Sequence, residues 1–228
     1  MGRKANRVEQ STFFRDRKDA GRRLAAELFE YKNKKNVLVL ALPRGGVPVG
    51  YEIARYLSAP LDVFLVRKLG VPGQEELAMG AVASGGIRVL NEDIIRALGI
   101  HTYQIDEIAA KEQTELERRE QQYRGNKPDL EIKGRTVILV DDGLATGASM
   151  RAAVKALKLS MPSEIIVAVP TASPDTCEEF KSEVDKIICA ETPSPFRAVG
   201  ARYVDFSQTT DEEVRRLLKS AEEIGRLQ

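Results

Sequence analysis

The chain has 228 residues, of which 43% are hydrophobic, and its 35 Lys and Arg residues offset 34 Asp and Glu residues to a formal net charge of +1. This length supports one domain with a packed core, and the neutral balance disfavours a nucleic-acid partner. No apolar run approaches the length of a membrane span, and the charged start MGRKANRVEQ lacks the apolar stretch of a secretory signal. We therefore expect a cytoplasmic protein with no membrane partner.

The first part of the chain alternates helical and strand patterns. Apolar residues at helical spacing predict a helix from Thr12 to Asn33. The continuous apolar run NVLVLAL (36–42) predicts a strand that is buried on both faces, and PRGGVPVG separates it from the helical pattern VGYEIARYL. A second buried strand is predicted for LDVFLVRKLG (61–70).

A hairpin and a long charged helix follow. The segment MGAVASGGIRVLN (79–91) has two strand-like halves around the turn SGG. Residues His101 to Gly125 predict a solvated helix whose sparse apolar positions form a thin seam against the core. His101, the only histidine, stands where this helix begins, so we expect it at the surface or in a helix cap.

Three more buried strands are predicted; a helix follows each of the first two, and an irregular aromatic segment, PSPFRAVGARYVDFS, follows the third. The strands are TVILVDD (136–142), EIIVAVP (164–170) and VDKIICAET (184–192). The last helix is amphipathic and covers 209–227, where Thr210 and Glu213 are spaced for a capping box. Buried strands that alternate with helices predict an α/β fold with a mainly parallel central sheet flanked by helices.

The cysteines and the single histidine exclude several kinds of site. Cys177 falls in a predicted helix and Cys189 in a predicted strand, without a Cys-x-x-Cys spacing. We therefore expect two reduced apolar thiols rather than a disulfide or a metal site, and reduced thiols fit a cytoplasmic location. One histidine and two separated cysteines cannot form a His/Cys zinc site. The chain has no Gly-x-Ser-x-Gly elbow, which disfavours a Ser-His-Asp hydrolase.

The stretch VILVDDGLATGASM (137–150) joins a buried strand to a helix through small and hydroxylated residues. Backbone amides at a helix N-terminus bind anions, and Thr146 and Ser149 add hydroxyl donors, so the loop Leu144 to Ser149 predicts a phosphate site. The spacing is neither that of a Walker P-loop nor that of a dinucleotide fingerprint.

Two adjacent carboxylates, Asp141 and Asp142, come directly before this loop. They could accept the two vicinal hydroxyls of a ribose whose 5′-phosphate lies in the loop. In the alternative, Asp141 caps the turn and Asp142 is solvated, which turns commonly favour. The residues alone leave both interpretations open.

The sequence VILVDDGLATGAS closely resembles the PRPP-binding motif of the type I phosphoribosyltransferases. The resemblance implies that Asp141 and Asp142 hold the ribose 2′ and 3′ hydroxyls. It also implies a 5′-phosphate loop of five residues, Ala145, Thr146, Gly147, Ala148 and Ser149. Family members often have Thr at the last position, and Ser149 keeps the hydroxyl.

Two other segments resemble the same family. LPRGGVPVG is similar to its pyrophosphate loop, where Arg44 and the amides of Gly45 and Gly46 would face the pyrophosphate. A plain turn is the alternative for the glycines. VRKLG and the residues after it resemble the strand end and mobile loop (69–79) that close over the site, with Arg67 and Lys68 directed at pyrophosphate; a solvated strand end is the alternative for that pair. Residues near both ends, FRDRKDAG and SPFRAVGARYVDFSQTTDEEV, resemble a bacterial and archaeal branch of the family.

The resemblance also implies a reaction. The expected activity is transfer of ribose 5-phosphate from PRPP to a nitrogenous acceptor, with Mg²⁺ held mainly by PRPP and water rather than by protein ligands. It needs no covalent nucleophile, and the protein could be a homodimer. The alternative is a regulator on the same fold that senses PRPP or a nucleotide without turnover.

The resemblance further implies one domain over 1–228, divided into a core and a hood. The core would cover about 36–190, the hood about 1–33 and 191–208, and the C-terminal helix about 209–227. Three hood aromatics, Phe196, Tyr203 and Phe206, are candidates to stack on the acceptor base or to anchor the hood.

Overall fold

The computed structural model describes residues 13–128 and 130–226. Its helices are α1 (Arg17–Glu27), α2 (Gly46–Leu57), α3 (Glu92–Leu98), α4 (Thr102–Arg124), α5 (Ala148–Leu159), α6 (Pro174–Phe180) and α7 (Asp211–Arg226). Its strands are β1 (Val37–Ala41), β2 (Leu61–Val63), β3 (Val66–Val71), β4 (Gln74–Ala83), β5 (Ile87–Leu90), β6 (Thr136–Val140), β7 (Glu164–Thr171) and β8 (Lys186–Glu191). Short 3₁₀ turns lie at Phe29–Tyr31 and Val199–Arg202.

A parallel sheet with the strand order β2-β1-β6-β7-β8 forms the centre of the molecule. All residues of β1 and β6 are buried, as their unbroken apolar runs require in a sheet covered by helices on both faces. The register pairs Ala41 with Val140, and Val140 with Ala168, so the three central strands end at one edge. The predicted α/β class is confirmed.

The apolar run LDVFLVRKLG does not form one strand, as predicted, but two. Residues 61–63 belong to the parallel sheet, whereas β3 pairs with β4 in a separate antiparallel sheet of order β3-β4-β5. The crossing point is Leu65, which exchanges hydrogen bonds with Ser84: its amide donates to Ser84 Oγ (2.9 Å) and its carbonyl accepts from the Ser84 amide (3.0 Å). The predicted hairpin around SGG is confirmed as β4 and β5.

Local capping explains where the helices begin. The predicted helix from Thr12 starts only at Arg17, because the Asp16 carboxylate accepts the Asp19 amide at 2.7 Å and fixes the first turn there. His101 caps α4 in a capping box with Gln104, as predicted. The apolar seam of α4 is likewise confirmed, with Ile105, Ala109 and Leu116 buried. At α7, the Glu213 amide donates to Thr210 Oγ1 at 3.1 Å. The short helix α3 was not predicted.

The segments predicted as hood do pack together. Phe14 bridges to Tyr203 in parallel, with the Phe14 amide donating to the Arg202 carbonyl at 2.9 Å and the Val204 amide donating to the Phe14 carbonyl at 2.8 Å. A small core of Phe14, Ala20 and Tyr203 joins them. Residues 1–12 of the predicted hood lie outside the described residues, and the domain boundaries stay predictions.

The expectation that the two cysteines are reduced is wrong. Cys177 on α6 and Cys189 on β8 form a disulfide, whereas reduced thiols were expected. The sequence separation of 12 residues concealed their proximity, because α6 turns the chain back so that β8 lies beside it, with the two Cα atoms 6.7 Å apart.

Within residues 13–128 and 130–226, no helix is long and apolar enough to cross a bilayer.

Candidate active site

The acid pair lies at the carboxyl end of β6, in the middle of the parallel sheet. There the Val140 carbonyl accepts the amide of Leu42, which follows β1, at 2.9 Å. Asp141 Oδ1 accepts the Asp142 amide at 2.8 Å, so Asp141 does cap the turn, as the alternative interpretation expected. Both residues are half-buried. Ligands of parallel sheets bind at this edge.

The glycine loop after β1 packs directly on the acid pair. A side chain at position 45 would collide with the Asp142 carboxylate, and one at position 46 would lie 2.7 Å from the Val140 carbonyl oxygen. Close approach therefore requires glycine at both positions. The Gly46 amide donates to the Leu42 carbonyl at 3.0 Å, so the prediction that both glycine amides face a pyrophosphate is corrected for Gly46. For Gly45 it stays a prediction.

Burial and the neighbouring Asp142 carboxylate raise the pKa of Asp141 well above its usual range, against the lowering influence of the Asp142 amide and the Arg17 guanidinium. Two adjacent acids at a partly buried strand end repel each other and lose hydration. The pair is therefore held in an electrostatically unfavourable state, which is typical of a functional site.

The second acid is not solvated, contrary to the alternative interpretation. Arg17, at the start of α1, donates from Nε to Asp142 Oδ2 at 2.8 Å, and the two side chains are only 12% and 16% exposed. The same guanidinium donates from Nη1 to the Ser207 carbonyl at 2.7 Å. Sequence reasoning missed Arg17, although it lies within FRDRKDAG, one of the segments that carry the family resemblance.

Tyr203 serves as an anchor of the hood. Its ring is 6% exposed between Phe14 and Phe206, with centroid distances of 5.4 and 5.0 Å, and its hydroxyl donates to the Asp142 carbonyl at 2.6 Å. Such a ring has no open face, so the predicted base-stacking role of Tyr203 is corrected. Phe206 lies under Arg17, whose guanidinium carbon is 3.9 Å from the ring centroid. Phe196 is half-buried, and its stacking role stays a prediction.

In the loop after the acid pair, two backbone carbonyl groups accept hydrogen bonds from side chains of α6 and α5. Thr176 Oγ1 donates to the Ala145 carbonyl at 2.7 Å, and Arg151 Nη1 donates to the Thr146 carbonyl at 2.8 Å. In a trans peptide the N–H points opposite to the C=O, so the amides of Thr146 and Gly147 are directed away from these braces. The predicted phosphate site therefore has a preformed set of outward amides.

The same loop leaves its small side chains in the open. Ala145, Thr146, Ala148 and Ser149 are exposed, and α5 begins at Ala148 with unpaired first-turn amides, as helices do. Gly147 has φ of 70° and lies against Phe180, where a Cβ would come within 2.6 Å of the ring. This close fit and the positive φ together require glycine. The four exposed residues and the buried Gly147 thus form one loop, in which Ser149 lines a cleft together with Asp141.

Arg44 does not lie free in its loop. Its Nη1 is 3.6 Å from Asp211 Oδ1, at the first residue of α7. Tyr123 of α4 donates to the same carboxylate at 2.6 Å and Gln122 donates at 3.0 Å. These hydrogen bonds lower the pKa of Asp211, while burial and that bond raise the pKa of Tyr123 to about 12. Arg44 is half-exposed and held by a weak surface pair.

The predicted basic pair on β3 is divided between two clefts. Arg67 lines a cleft of about 130 Å³ together with Asp141 and Ser149, and donates from Nε to Glu112 at 2.6 Å. Lys68 and Arg67 line a larger neighbouring cleft of about 470 Å³ between α4 and the β3–β4 hairpin. Lys68 Nζ lies 3.6 Å from the exposed Glu76. Its predicted role on a pyrophosphate is therefore less direct than that of Arg67.

The cleft beside Asp141 has one more cation that the sequence did not indicate. Arg119, on α4, lines it opposite the phosphate loop and donates from Nε to Glu115 at 2.8 Å. Nothing distinguishes Arg119 along the chain from Arg118, which binds the same Glu115. Only the path of α4 across the sheet edge brings one of the two into the cleft.

No group of three or more His, Cys, Asp or Glu that could hold a metal ion occurs among the residues that the structure describes. An ion carried by substrate phosphates and water needs few protein ligands. The cleft instead gathers cations and outward amides, which suit the phosphate groups that would carry such an ion. The residues present therefore fit Mg²⁺ bound through the substrate.

Family comparison agrees with this geometry. A model of the phosphoribosyl transferase domain matches residues 10–204. The chain belongs to this family. A Mycobacterium tuberculosis (strain H37Rv) protein provisionally named a phosphoribosyl transferase is 44% identical over 208 residues, which are 91% of this chain and 47% of the relative. The chain thus spans about half the length of that relative.

A solved structure and a second relative extend the comparison. The crystal structure of TT1426 from Thermus thermophilus superposes with a TM-score of 0.82 and 43% identity, covering 91% of this phosphoribosyl transferase chain and 98% of TT1426. The bifunctional protein PyrR of Chloroflexus aurantiacus is 34% identical over 143 residues, or 60% of this chain and 71% of PyrR.

Proposed function

We propose that the chain transfers the ribose 5-phosphate of PRPP to a nitrogenous acceptor of the nucleobase class and releases pyrophosphate. One observation carries the proposal: the acid pair at the end of β6 leads directly into a loop whose carbonyl groups are fixed from behind. That arrangement offers acceptors for a diol and, beside them, donors for a phosphate. A ribose 5-phosphate carries both groups on one small molecule, the diol at C2 and C3 of the ring and the phosphate at C5.

In the proposed reaction, the bond between ribose C1 and the pyrophosphate oxygen breaks early, and a bond from C1 to the acceptor nitrogen forms on the opposite face. The electron pair of the broken bond leaves with the pyrophosphate, and the acceptor's proton passes to solvent. Positive charge develops near C1, where the carboxylates of Asp141 and Asp142 favour it. The amides of Thr146 and Gly147 hold the 5′-phosphate and so fix the position of C1.

The leaving group is proposed to move toward the arginines of the cleft. Arg67 lines the cleft beside Asp141, and Arg44 follows the strand next to it. Both face carboxylates across partly exposed ion pairs that a pyrophosphate could replace. Mg²⁺, when bound through the substrate, neutralises charge on the leaving oxygens. Lys68 contributes from the neighbouring cleft.

The proposal also covers the domain organisation, the oligomeric state, the location and the partners of the protein. We propose one domain over 1–228, a homodimer, and a location in the cytoplasm, with PRPP and an acceptor base as partners. The disulfide removes the support that reduced cysteines would have given to the location. Because the M. tuberculosis relative is about twice as long, whole-protein activity and partners belong to the proposal too.

The deciding experiment is a pyrophosphate-release assay with PRPP, with and without Mg²⁺, across purines and pyrimidines including xanthine, uracil and orotate. We expect release with at least one base, dependent on Mg²⁺. Tight PRPP binding without release for any base would favour the alternative, a regulator that senses PRPP or a nucleotide.

A further inference from the structure

A hood arginine reaches across the molecule to the acid pair. Arg17 and Asp142 are 125 residues apart in the chain, yet the guanidinium Nε lies 2.8 Å from Asp142 Oδ2. The other side of the guanidinium is fixed as well, by the Ser207 carbonyl at 2.7 Å and by the ring of Phe206 below it. Three contacts from three directions hold this cation in one orientation.

The hood fixes the main chain of Asp142 in addition to its side chain. The Tyr203 hydroxyl donates to the Asp142 carbonyl at 2.6 Å, and Gly45 packs against the carboxylate from the other side. Arg17 occupies Asp142 Oδ2, while a carboxylate has about four acceptor sites on its two oxygens. Asp142 can therefore remain paired with Arg17 and still accept a substrate hydroxyl through Oδ1.

The charged and titratable groups that face the pair come from four elements: Arg17 of α1, Tyr203 of the hood, Arg67 of β3 and Arg119 of α4. Arg67 and Arg119 line the open cleft and are paired with Glu112 and Glu115. Across residues 13–128 and 130–226, Arg17 is the cation that hydrogen-bonds to the pair. Its charge opposes the rise in the pKa of Asp141 that burial and Asp142 produce.

We propose that Arg17 is a positioning residue for diol recognition: it holds the second carboxylate and compensates its charge from the hood side, so that two adjacent acids can both face and accept ribose hydroxyls. This inference rests on the proposed function, and it adds a residue outside the motif. It gives α1 a chemical role at the ribose, in addition to any role of the hood toward the acceptor.

A positioning role for Arg17 predicts which binding affinities fall when Arg17 is replaced. Without Arg17, Asp141 takes up a proton more readily, and a protonated carboxyl is a poorer acceptor for a hydroxyl. Binding of ribose 5-phosphate should fall near neutral pH and recover as the pH rises and Asp141 ionises again. Binding of inorganic phosphate depends on the loop amides, so it should not change.

The test compares Arg17→Gln, Arg17→Lys and the matched control Arg22→Gln by calorimetry. Arg22 lies on the same helix and contacts Asp19 and Glu52, away from the acid pair. The probes are ribose 5-phosphate, 2-deoxyribose 5-phosphate and inorganic phosphate, each at pH 7 and pH 9.

At pH 7 we expect Arg17→Gln to weaken ribose 5-phosphate binding about 30-fold and to lose most discrimination against the deoxy sugar, with phosphate affinity within about 2-fold. At pH 9 most of the affinity should return. Arg17→Lys should retain an intermediate affinity, because it keeps the charge but not the fork geometry. Arg22→Gln should match the wild type.

Four results would overturn the inference. Unchanged ribose 5-phosphate affinity in Arg17→Gln would show that the ion pair is irrelevant, and tighter binding would show that Arg17 competes with the sugar. Equal losses for the sugar and for phosphate, with no recovery at pH 9, would indicate collapse of the hood. If the wild type itself binds ribose 5-phosphate no better than phosphate, the proposed function fails and takes this inference with it.

Discussion

The two sides of the cleft above Asp141 hold their anion-binding groups in opposite ways. On one side, the loop from Ala145 to Ser149 has its carbonyls braced and its amides turned outward, with the small side chains exposed. On the other side, Arg67 and Arg119 line the cleft and face the α4 carboxylates Glu112 and Glu115, while Arg44, in the loop after β1, faces Asp211 of α7. In the proposed role, the loop side needs no rearrangement before it binds phosphate. The arginine side must exchange one anion for another.

This difference suggests a division of labour. A preformed set of amides costs little to use and suits a group that stays bound throughout the reaction, as the 5′-phosphate does. Arginines that are already paired suit a group that arrives and leaves, because the helix carboxylates can take the cations back. The acid pair lies between the two sides, and Arg17 ties it to the hood.

The largest effect is expected from neutralising the acid pair, which lies between the two sides. Asp141→Asn combined with Asp142→Asn should weaken PRPP binding about 1,000-fold or more, since two charge-assisted contacts to the diol are lost together. Calorimetry with Mg²⁺ measures this, and a retained cooperative melting transition shows that the fold persists. Unchanged PRPP affinity would contradict the assignment of the pair.

Arg44 should affect the rate of the reaction but not the affinity for ribose 5-phosphate, the group that stays bound. Arg44→Ala is expected to lower the rate of pyrophosphate release about 100-fold, because charge on the leaving oxygens is no longer stabilised. Its affinity for ribose 5-phosphate should stay within about 2-fold. Steady-state kinetics and calorimetry on the same protein separate the two quantities, and equal losses in both would argue against a role in leaving-group stabilisation.

Two neighbouring arginines on α4 allow a sharper comparison. Arg119→Gln should weaken pyrophosphate binding about 10-fold, because this guanidinium borders the cleft, whereas Arg118→Gln should leave it unchanged. Both variants lose a bond to Glu115, so the pair of variants controls for that ion pair. Identical behaviour of the two in a pyrophosphate titration would remove Arg119 from the site.

The smallest effect concerns stability. The pKa of Asp141 is raised in the folded protein, so the folded state loses stability as the pH rises through that value. Asp141→Asn removes the buried charge while its side-chain oxygen can still accept the Asp142 amide. We expect about 1 kcal/mol of stabilisation at pH 7, or a rise in Tm of about 2–4 °C.

Thermal melts between pH 4 and pH 8 check this prediction. The difference in Tm between Asp141→Asn and the wild type should shrink toward pH 4, where the wild-type carboxyl is protonated. A difference that grows on acidification would have the wrong sign for a raised pKa.

Sequence reasoning grouped those parts of the proposed site that are contiguous in the chain. Asp141, Asp142 and the loop to Ser149 form one run between a buried strand and a helix, and such a run folds in one way. The partners that come from elsewhere were not predictable. Arg17 meets Asp142 only after α1 has folded over the sheet edge, and Arg119 reaches the cleft only because of the direction of α4.

The fold shows the same division. Unbroken apolar runs sufficed to predict β1, β6 and β7, because burial on both faces leaves one interpretation. The run LDVFLVRKLG was also predicted as one buried strand, yet it bends at Leu65 from one sheet to the other, and only its pairing with Ser84 reveals this. The bond between Cys177 and Cys189 likewise depends on how α6 and β8 come together.

That disulfide has a consequence for the braces behind the phosphate loop. The helix α6 has only seven residues, too few to be stable by itself, yet it provides Thr176, which holds the Ala145 carbonyl, and Phe180, which packs on Gly147. Cys177 fastens this helix covalently to an outer strand of the sheet. The disulfide thus holds α6 in place behind the proposed phosphate loop. In protein prepared in strong reductant, packing alone must keep α6 against that loop.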